Sequence, residues 1–182
     1  NDIPVCKELL VYFRVINLTG FISLNDPTNI GVNLYSIFVF AFYIQGIIFD
    51  IDNTLVPHGA PADERSKKLF EHLKELGYKV VLLSNNKEPR VKMFNDVVKV
   101  SYIFKAGKPL VKNYLKAMEM MGTNKENTLF VGDQLFTDVW GANLTGIYSI
   151  LVKPIDPKEE IQIVLKRYLE KVVLFFYMRS KK

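Results

Sequence analysis

The chain is short of the residues that build covalent and soft-metal frameworks. Among its 182 residues there is one cysteine, Cys6, and there are two histidines, His58 and His72. One thiol excludes an internal disulfide and a cysteine-based metal site, and two imidazoles exclude a histidine-rich one. A reducing, cytoplasmic setting fits that cysteine usage. No cleavable signal is expected, because such a signal wants basic residues just ahead of its apolar stretch. Here Lys7 and Arg14 stand far upstream. Internal repeats and low-complexity tracts are also lacking. Charge is missing from Pro27 to Phe49. That window approaches the about 20 apolar residues of a spanning helix. Asn29, Asn33, Ser36 and Gln45 interrupt it, however, and its last third reads as a strand. A buried core element is the expectation there.

What is present fits one globular domain. Apolar residues make up 49% and charged residues 24%, an ordinary balance for a chain that buries a core. The net charge of +5 is uneven: residues 1–49 carry −1, residues 50–157 carry +2 and residues 158–182 carry +4. The excess therefore marks a basic tail and not a groove for nucleic acid, so no nucleic-acid partner is expected.

From Gly46 to Pro154 strand and helix signals alternate. Apolar strand-like runs are read at 46–49, 79–83, 101–104, 128–131 and 147–152. Pro61-Ala62-Asp63-Glu64 opens a helix with Leu69, Phe70, Leu73 and Leu76 as its stripe and Gly77 as its stop. Glu88-Pro89 starts a short helix with Val91 and Phe94 on one side. Pro109 opens another, with Leu110, Tyr114, Leu115 and Met118 as its face and Gly122 as its stop; a last helix is read near 136–144. Such alternation means parallel βαβ units. The expected division is an extension over 1–45, a core over 46–157 and a basic amphipathic helix over 158–182. Within the extension, Lys7 to Ile16 reads as a helix candidate and Asn25 to Asn29 as a turn.

Four polar segments each stand where an apolar run ends: Asp50-Ile51-Asp52-Asn53-Thr54, Ser84, Lys108-Pro109, and Gly132-Asp133 with Asp138. In an open α/β sheet, ligands bind outside the carboxyl ends of the strands. Asp50 and Asp52 share a face at a strand end. Two carboxylates there repel unless a cation lies between them or one holds a proton. Phosphoryl transfer uses both conditions. One carboxylate attacks phosphorus and the other exchanges a proton with the leaving group and with water. Asp50, first out of the strand, is the candidate nucleophile, and Asp52 the candidate acid/base. Asn53 and Thr54 would fix the loop through hydrogen bonds to the backbone. The Ser84 hydroxyl, followed by Asn85-Asn86, would hold phosphate oxygens, and Lys108 would neutralise them. Asp133 would complete an oxygen-ligand Mg²⁺ site with Asp50. Asp138 would hold a metal-bound water or orient Lys108. Each segment alone also fits a local role: a solvated turn, a helix cap, an exposed lysine. Their joint order is what carries the reading.

That set resembles the haloacid dehalogenase (HAD) superfamily of Mg²⁺-dependent phosphatases. More narrowly, I-I-F-D-I-D-N-T-L-V, L-S-N-N, F-K-A-G-K-P and V-G-D-Q-L-F-T-D-V-W-G-A-N resemble the YqeG-type phosphatases of subfamily IIIA, which are related to mitochondrial phosphatidylglycerophosphate phosphatases. The match covers about residues 46–153. The resemblance implies a HAD-like, Rossmann-like three-layer sandwich with a mainly parallel sheet. It implies Asp50 as nucleophile and metal ligand. Asp52 would be acid/base and give its backbone carbonyl to Mg²⁺, and Asp133 would be the third protein ligand. Ser84, with Asn85, and Lys108 would bind the phosphate. Asp138 would support them.

One helix and one strand fill each of the intervals from Asp50 to Ser84 and from Ser84 to Lys108, leaving no room for a cap domain. An open site suits a phosphate on something large, such as a lipid headgroup, a protein or a polynucleotide, or a small metabolite enclosed by a partner subunit; a phosphate-binding module without turnover is the reading of a different class. In the tail, Ile161, Val164, Leu165, Tyr168, Leu169, Val172 and Phe176 follow helical spacing, with Lys166, Arg167 and Lys171 on other faces. Two readings are open for it: a terminal helix packed on the sheet, or a basic helix lying on the inner face of an anionic membrane.

Overall fold

Five parallel strands and the helices between them place every polar segment named above at one edge of a sheet. The computed structural model describes residues 15–16, 43–156, 168–173, 175 and 179. The strands are β1 (Val15–Ile16), β2 (Gly46–Phe49), β3 (Lys79–Leu83), β4 (Ser101–Ile103), β5 (Thr128–Gly132) and β6 (Tyr148–Val152). They lie in the order β1-β6-β5-β2-β3-β4. Strands β6 to β4 of that order run parallel, and β1 pairs with β6 antiparallel. Val15–Ile16 is therefore strand, which corrects the end of the helix expected from Lys7 to Ile16. The rest of that helix, the turn at 25–29 and the tail before 168 lie outside the described residues.

The chain first builds outward from β2 through β3 to β4, then crosses back to lay β5 on the other side of β2. The β2/β5 seam is thus the point where the winding reverses, and a crevice opens at such a point. Registers align Gly46 with Lys79 and with Thr128, so β2, β3 and β5 end side by side. Every residue of β2 and β5 is buried, as expected for central parallel strands covered on both faces.

Alternation along the strands divides the core in two. Ile47 and Phe49 face one layer with Leu69, Phe70 and Leu73 of α1 (Glu64–Glu75) and Val91 and Phe94 of α2 (Glu88–Val98). Ile48 and Phe130 face the other with Tyr114, Ala117, Met118 and Met121 of α3 (Val111–Met121) and Ala142 of α4 (Trp140–Thr145). The Phe70 ring bridges Phe49 and Phe94, with centroids 5.6 and 6.2 Å away. Each fully buried side chain of this kind contributes about 1.5–3 kcal/mol. The Asp63 carboxylate caps α1 by accepting from the Ser66 N–H at 2.7 Å.

Three local readings shift. Helix α3 begins at Val111, after a cis Lys108–Pro109 peptide and an extended Leu110. Its buried face is consequently Tyr114, Ala117, Met118 and Met121, while Leu110 and Leu115 are exposed. The helix expected near 136–144 is two pieces, a π-helical turn at Leu135–Val139 and then α4. In the tail, residues 168–173 are helical, but Tyr168, Leu169 and Val172 of the expected stripe are exposed. Among the described residues no helix is long and apolar enough to cross a membrane.

Candidate active site

Asp50 leaves β2 with its N–H still bonded to the Val131 carbonyl of β5 at 2.9 Å. The ladder therefore holds the nucleophile candidate beside the strand that ends at Asp133. The chain then turns through Asn53, whose φ of 61° lies in the left-handed region that asparagine tolerates. Asn53 ties this loop to the end of the sheet: its carbonyl accepts from the Ile155 N–H at 3.1 Å and its Oδ1 from the Asp156 N–H at 3.3 Å. The Thr54 hydroxyl donates to Asp133 Oδ1 at 3.1 Å. Asn53 thus bonds backbone, as expected, whereas Thr54 bonds the Asp133 side chain and not the backbone.

Lys108 is the centre of the charge arrangement. Its Nζ lies 2.6 Å from Asp50 Oδ1 and 2.7 Å from Asp138 Oδ1, with 4% of its side chain exposed. Asn85 holds the Lys108 backbone at both ends: Lys108 N–H donates to Asn85 Oδ1 at 2.8 Å, and Asn85 Nδ2 donates to the Lys108 carbonyl at 3.3 Å. Asn85 therefore positions the lysine. Ser84 is buried, and its Oγ accepts from the Asn86 N–H at 3.2 Å. On the far side, Asp138 folds back so that its Oδ2 accepts from the Gln134 N–H at 3.0 Å. A Cβ on Gly132 would overlap this carboxylate, so glycine is needed for the approach.

Oxygens of Asp50, Asp133 and Asp138 lie within 4.8 Å of one another, all on buried residues. With Lys108 the cluster carries three negative charges and one positive, so it lacks two positive charges. Burial pushes the Asp50 carboxyl up to about 6, with Lys108 pulling it down and Asp138 pushing it further up. Burial works to lower Lys108, but the Asp138 and Asp50 carboxylates outweigh it and hold the ammonium well above its usual value. An all-oxygen donor set short of two positive charges fits a hard divalent cation such as Mg²⁺.

The Asp52 carboxylate is turned to a different set of groups. Its Oδ1 accepts from the Gly59 N–H at 2.7 Å and from Arg90 Nη2 and Nε at 2.9 and 3.2 Å. Its Oδ2 accepts from Asn86 Nδ2 at 2.6 Å, and His58 Nδ1 lies 3.8 Å from Oδ1. Arg90 on α2 and the Asn86 side chain were not singled out from sequence. Arg90 lies inside a helix, where the strand-end signal does not reach, and although Asn86 follows Ser84-Asn85 just past β3, nothing in the sequence shows its amide turning to Asp52. Tyr114, deep under α4, also contributes: its hydroxyl donates to the Thr137 carbonyl at 2.8 Å, steadying the π-helical turn that carries Asp138.

The arrangement is a buried lysine between two aspartates, with a third aspartate at the end of β5, in a doubly wound sheet. The haloacid dehalogenase-like hydrolase family profile matches residues 60–146, and the chain belongs to that family. It is 41% identical over 132 residues to "Probable phosphatase YqeG" of Bacillus subtilis (strain 168), spanning 72% of this chain and 77% of that protein. Among solved structures, 3-deoxy-D-manno-octulosonate 8-phosphate phosphatase from Yersinia pestis superposes with a TM-score of 0.51 at 12% identity, over 61% of this chain and 64% of that one. A hypothetical protein from Xanthomonas campestris gives 0.50 at 17% identity, over 61% and 66%. At those identities the two structures attest the fold alone.

Proposed function

We propose that this chain is a Mg²⁺-dependent phosphomonoester hydrolase that works through an aspartyl-phosphate on Asp50, with phosphatidylglycerophosphate as candidate substrate. The observation that carries the reading is the Lys108 bridge between Asp50 and Asp138 beside Asp133. It sets an ammonium against the nucleophile candidate, where phosphate charge would arrive. Asp50 attacks phosphorus, and the bond from phosphorus to the leaving oxygen breaks. Asp52 gives that oxygen a proton. Water then attacks the acyl phosphate, Asp52 takes the water's proton, and inorganic phosphate departs. Ser84 and Lys108 hold the phosphate oxygens. Asp50, Asp133 and the Asp52 carbonyl would hold Mg²⁺, which would supply charge stabilisation to the transferring phosphoryl group.

The lipid substrate is supported by three features. The site has no cap between Asp50 and Lys108. Residues 158–182 carry most of the basic excess. Tyr168, Leu169, Val172, Val173 and Phe175 are exposed on the last helical segment. In this reading the 46–157 core hydrolyses the ester while the 158–182 helix rests on the inner face of an anionic membrane, and 1–45 is an extension of the core.

A second reading is a soluble phosphatase, for a small metabolite or a protein, closed by oligomerisation. Leu110, two residues past Lys108, and Trp140, two past Asp138, are 69% and 51% exposed, apolar groups that a partner subunit would cover. The test is phosphate release from phosphatidylglycerophosphate in mixed micelles, with Mg²⁺ or EDTA, beside a panel of soluble esters. Mg²⁺-dependent release selective for the lipid is the expected result. Release from soluble esters alone would replace it with the second reading. No release from any ester by folded protein would leave a phosphate-binding module without turnover.

A further inference from the structure

Glu170 is buried where its neighbours are not. Within 168–173 it is the one buried residue, at 6% exposure, while Tyr168, Leu169, Val172 and Val173 stand in solvent. A helix that buries its carboxylate and exposes its apolar side chains reverses the usual preference. Burying a charge is unfavourable unless hydrogen bonds compensate it. Here Glu170 Oε1 accepts from the Leu135 N–H at 2.7 Å, across 35 positions of sequence.

The place of that bond in the chain is informative. Leu135 opens the π-helical turn Leu135–Val139. First-turn N–H groups have no partner inside their own helix, and they carry the positive end of its dipole. Asp138 satisfies the Gln134 N–H from within the turn, and Glu170 satisfies the next N–H from outside. Asp133 immediately precedes this stretch and Asp138 lies inside it. The two carboxylates that close the candidate metal cluster therefore stand on a backbone pinned by a residue of the tail.

We infer that Glu170 is a positioning residue for the 133–138 loop, acting on metal affinity through the Leu135 backbone. The inference rests on the metal site proposed above. In this role Glu170 acts through the Leu135 backbone, setting the spacing of Asp133 and Asp138 and leaving the attack by Asp50 unchanged. The tail helix and the metal loop then form one mechanical unit, and a load on the helix is felt at the loop.

Three variants of the full chain separate this role from simple stability. Glu170→Asp keeps the charge and shortens the reach. Glu170→Gln keeps the reach and an acceptor. Glu170→Ala keeps neither. The readouts are Mn²⁺ affinity by electron paramagnetic resonance and the emission of Trp140, the chain's one tryptophan, which begins α4 and packs edge-on against Phe136 in the turn. Loss of a partner bonded directly to a ligand lowers metal affinity by about 10- to 100-fold, and Glu170 acts one backbone step further out, at the lower end of that range. The expected result is at least about tenfold weaker Mn²⁺ binding and shifted Trp140 emission for Asp and Ala, with Gln close to the parent. Unchanged Mn²⁺ affinity in the Asp variant would overturn the inference, as would a Gln variant as weak as Asp. If the Ala variant does not fold, the Asp–Gln pair decides. Because metal binding is read without turnover, an inactive parent protein would sink the phosphatase reading while the Mn²⁺ measurement still judged Glu170.

Discussion

Arg90 Nη2 lies 2.9 Å from Asp52 Oδ1, joining helix α2 to the candidate acid/base. The same oxygen takes the Arg90 Nε and the Gly59 N–H, and Asn86 takes the other oxygen. Asp52 is thus aimed by its donors. Arg90→Met removes two of them without touching the phosphate subsite. The expected outcome is a fall of about tenfold or more in kcat, with KM changed by less than about threefold, since a positioned general acid is worth about 10²–10⁴. Steady-state kinetics on an alkyl phosphate checks it. A rise in KM with kcat intact would make Arg90 a substrate ligand instead. The loss should shrink on p-nitrophenyl phosphate, whose leaving group needs no proton.

Asp50 sets a second expectation, through pH. Its folded-state value of about 6 lies above the ordinary 3.8, so the fold disfavours the ionised form. On this group alone, metal-free protein suffers no penalty below pH about 4 and the full penalty above about 6. Asp50→Asn should abolish turnover yet leave metal-free protein as stable as the parent at pH 4 and more stable at pH 7.5. Thermal melts of the two proteins in EDTA at both pH values check the difference. Attack needs the carboxylate, and cations bind that form. The acid limb of kcat/KM should therefore lie near pH 6 at low Mg²⁺ and move down as Mg²⁺ rises.

Lys108→Met leaves the Asp50, Asp133 and Asp138 carboxylates together with no cation among them. Breaking a buried ion pair by removing one partner destabilises by about 3–5 kcal/mol. The loss should be greatest near neutral pH, smaller at pH 5 where Asp50 takes up a proton, and partly reversed by Mg²⁺. Urea unfolding at two pH values, with and without Mg²⁺, measures all three effects.

Gly132→Ala tests the packing of the loop. The added methyl would meet the Asp138 carboxylate, which is buried and cannot yield freely. Displacing Asp138 releases one side of the Lys108 bridge. Mg²⁺ titration of activity should show half-saturation raised by about tenfold or more, the range seen when outer partners of a metal site are lost, with far-ultraviolet circular dichroism unchanged.

Much of this architecture is legible in the chain itself, and the reason is physical. Central parallel strands are buried on both faces, so Ile47-Ile48-Phe49 of β2 and Leu129-Phe130-Val131 of β5 appear as unbroken apolar runs, and the first charged residue after each is Asp50 or Asp133. Asp63, Gly77 and Gly122 mark helix ends by local chemistry that needs no tertiary partner. The missed features depend on partners far away in sequence. The Arg90–Asp52 bond spans 38 positions and the Glu170–Leu135 bond 35. Nothing in the spacing of α2 shows which way Arg90 turns. The α3 face differs from the expected one because Pro109 reads as a first helical residue while the helix begins at Val111. The turn continues to Leu110, and the stripe is rephased onto Ala117 and Met121. The π-helical turn is likewise invisible to a 3.6-residue period. There Asp138 reaches back to the Gln134 N–H, and Val139 N–H bonds the Gln134 carbonyl five residues back.

The crossover that seats β5 against β2 also orders events during folding. β2, β3 and β4 follow one another closely in sequence, whereas β2 meets β5 only after Gly46 has found Thr128. Closing that long loop carries the larger entropy loss and comes late among the sheet contacts. A nascent chain whose ribosome has reached only residue 120 holds Asp50, Asp52 and Lys108 without Asp133 or Asp138. On the proposed mechanism, hydrolysis therefore begins only once β5 and the turn after it are in place, and its onset during synthesis is a clock for completion of the sheet.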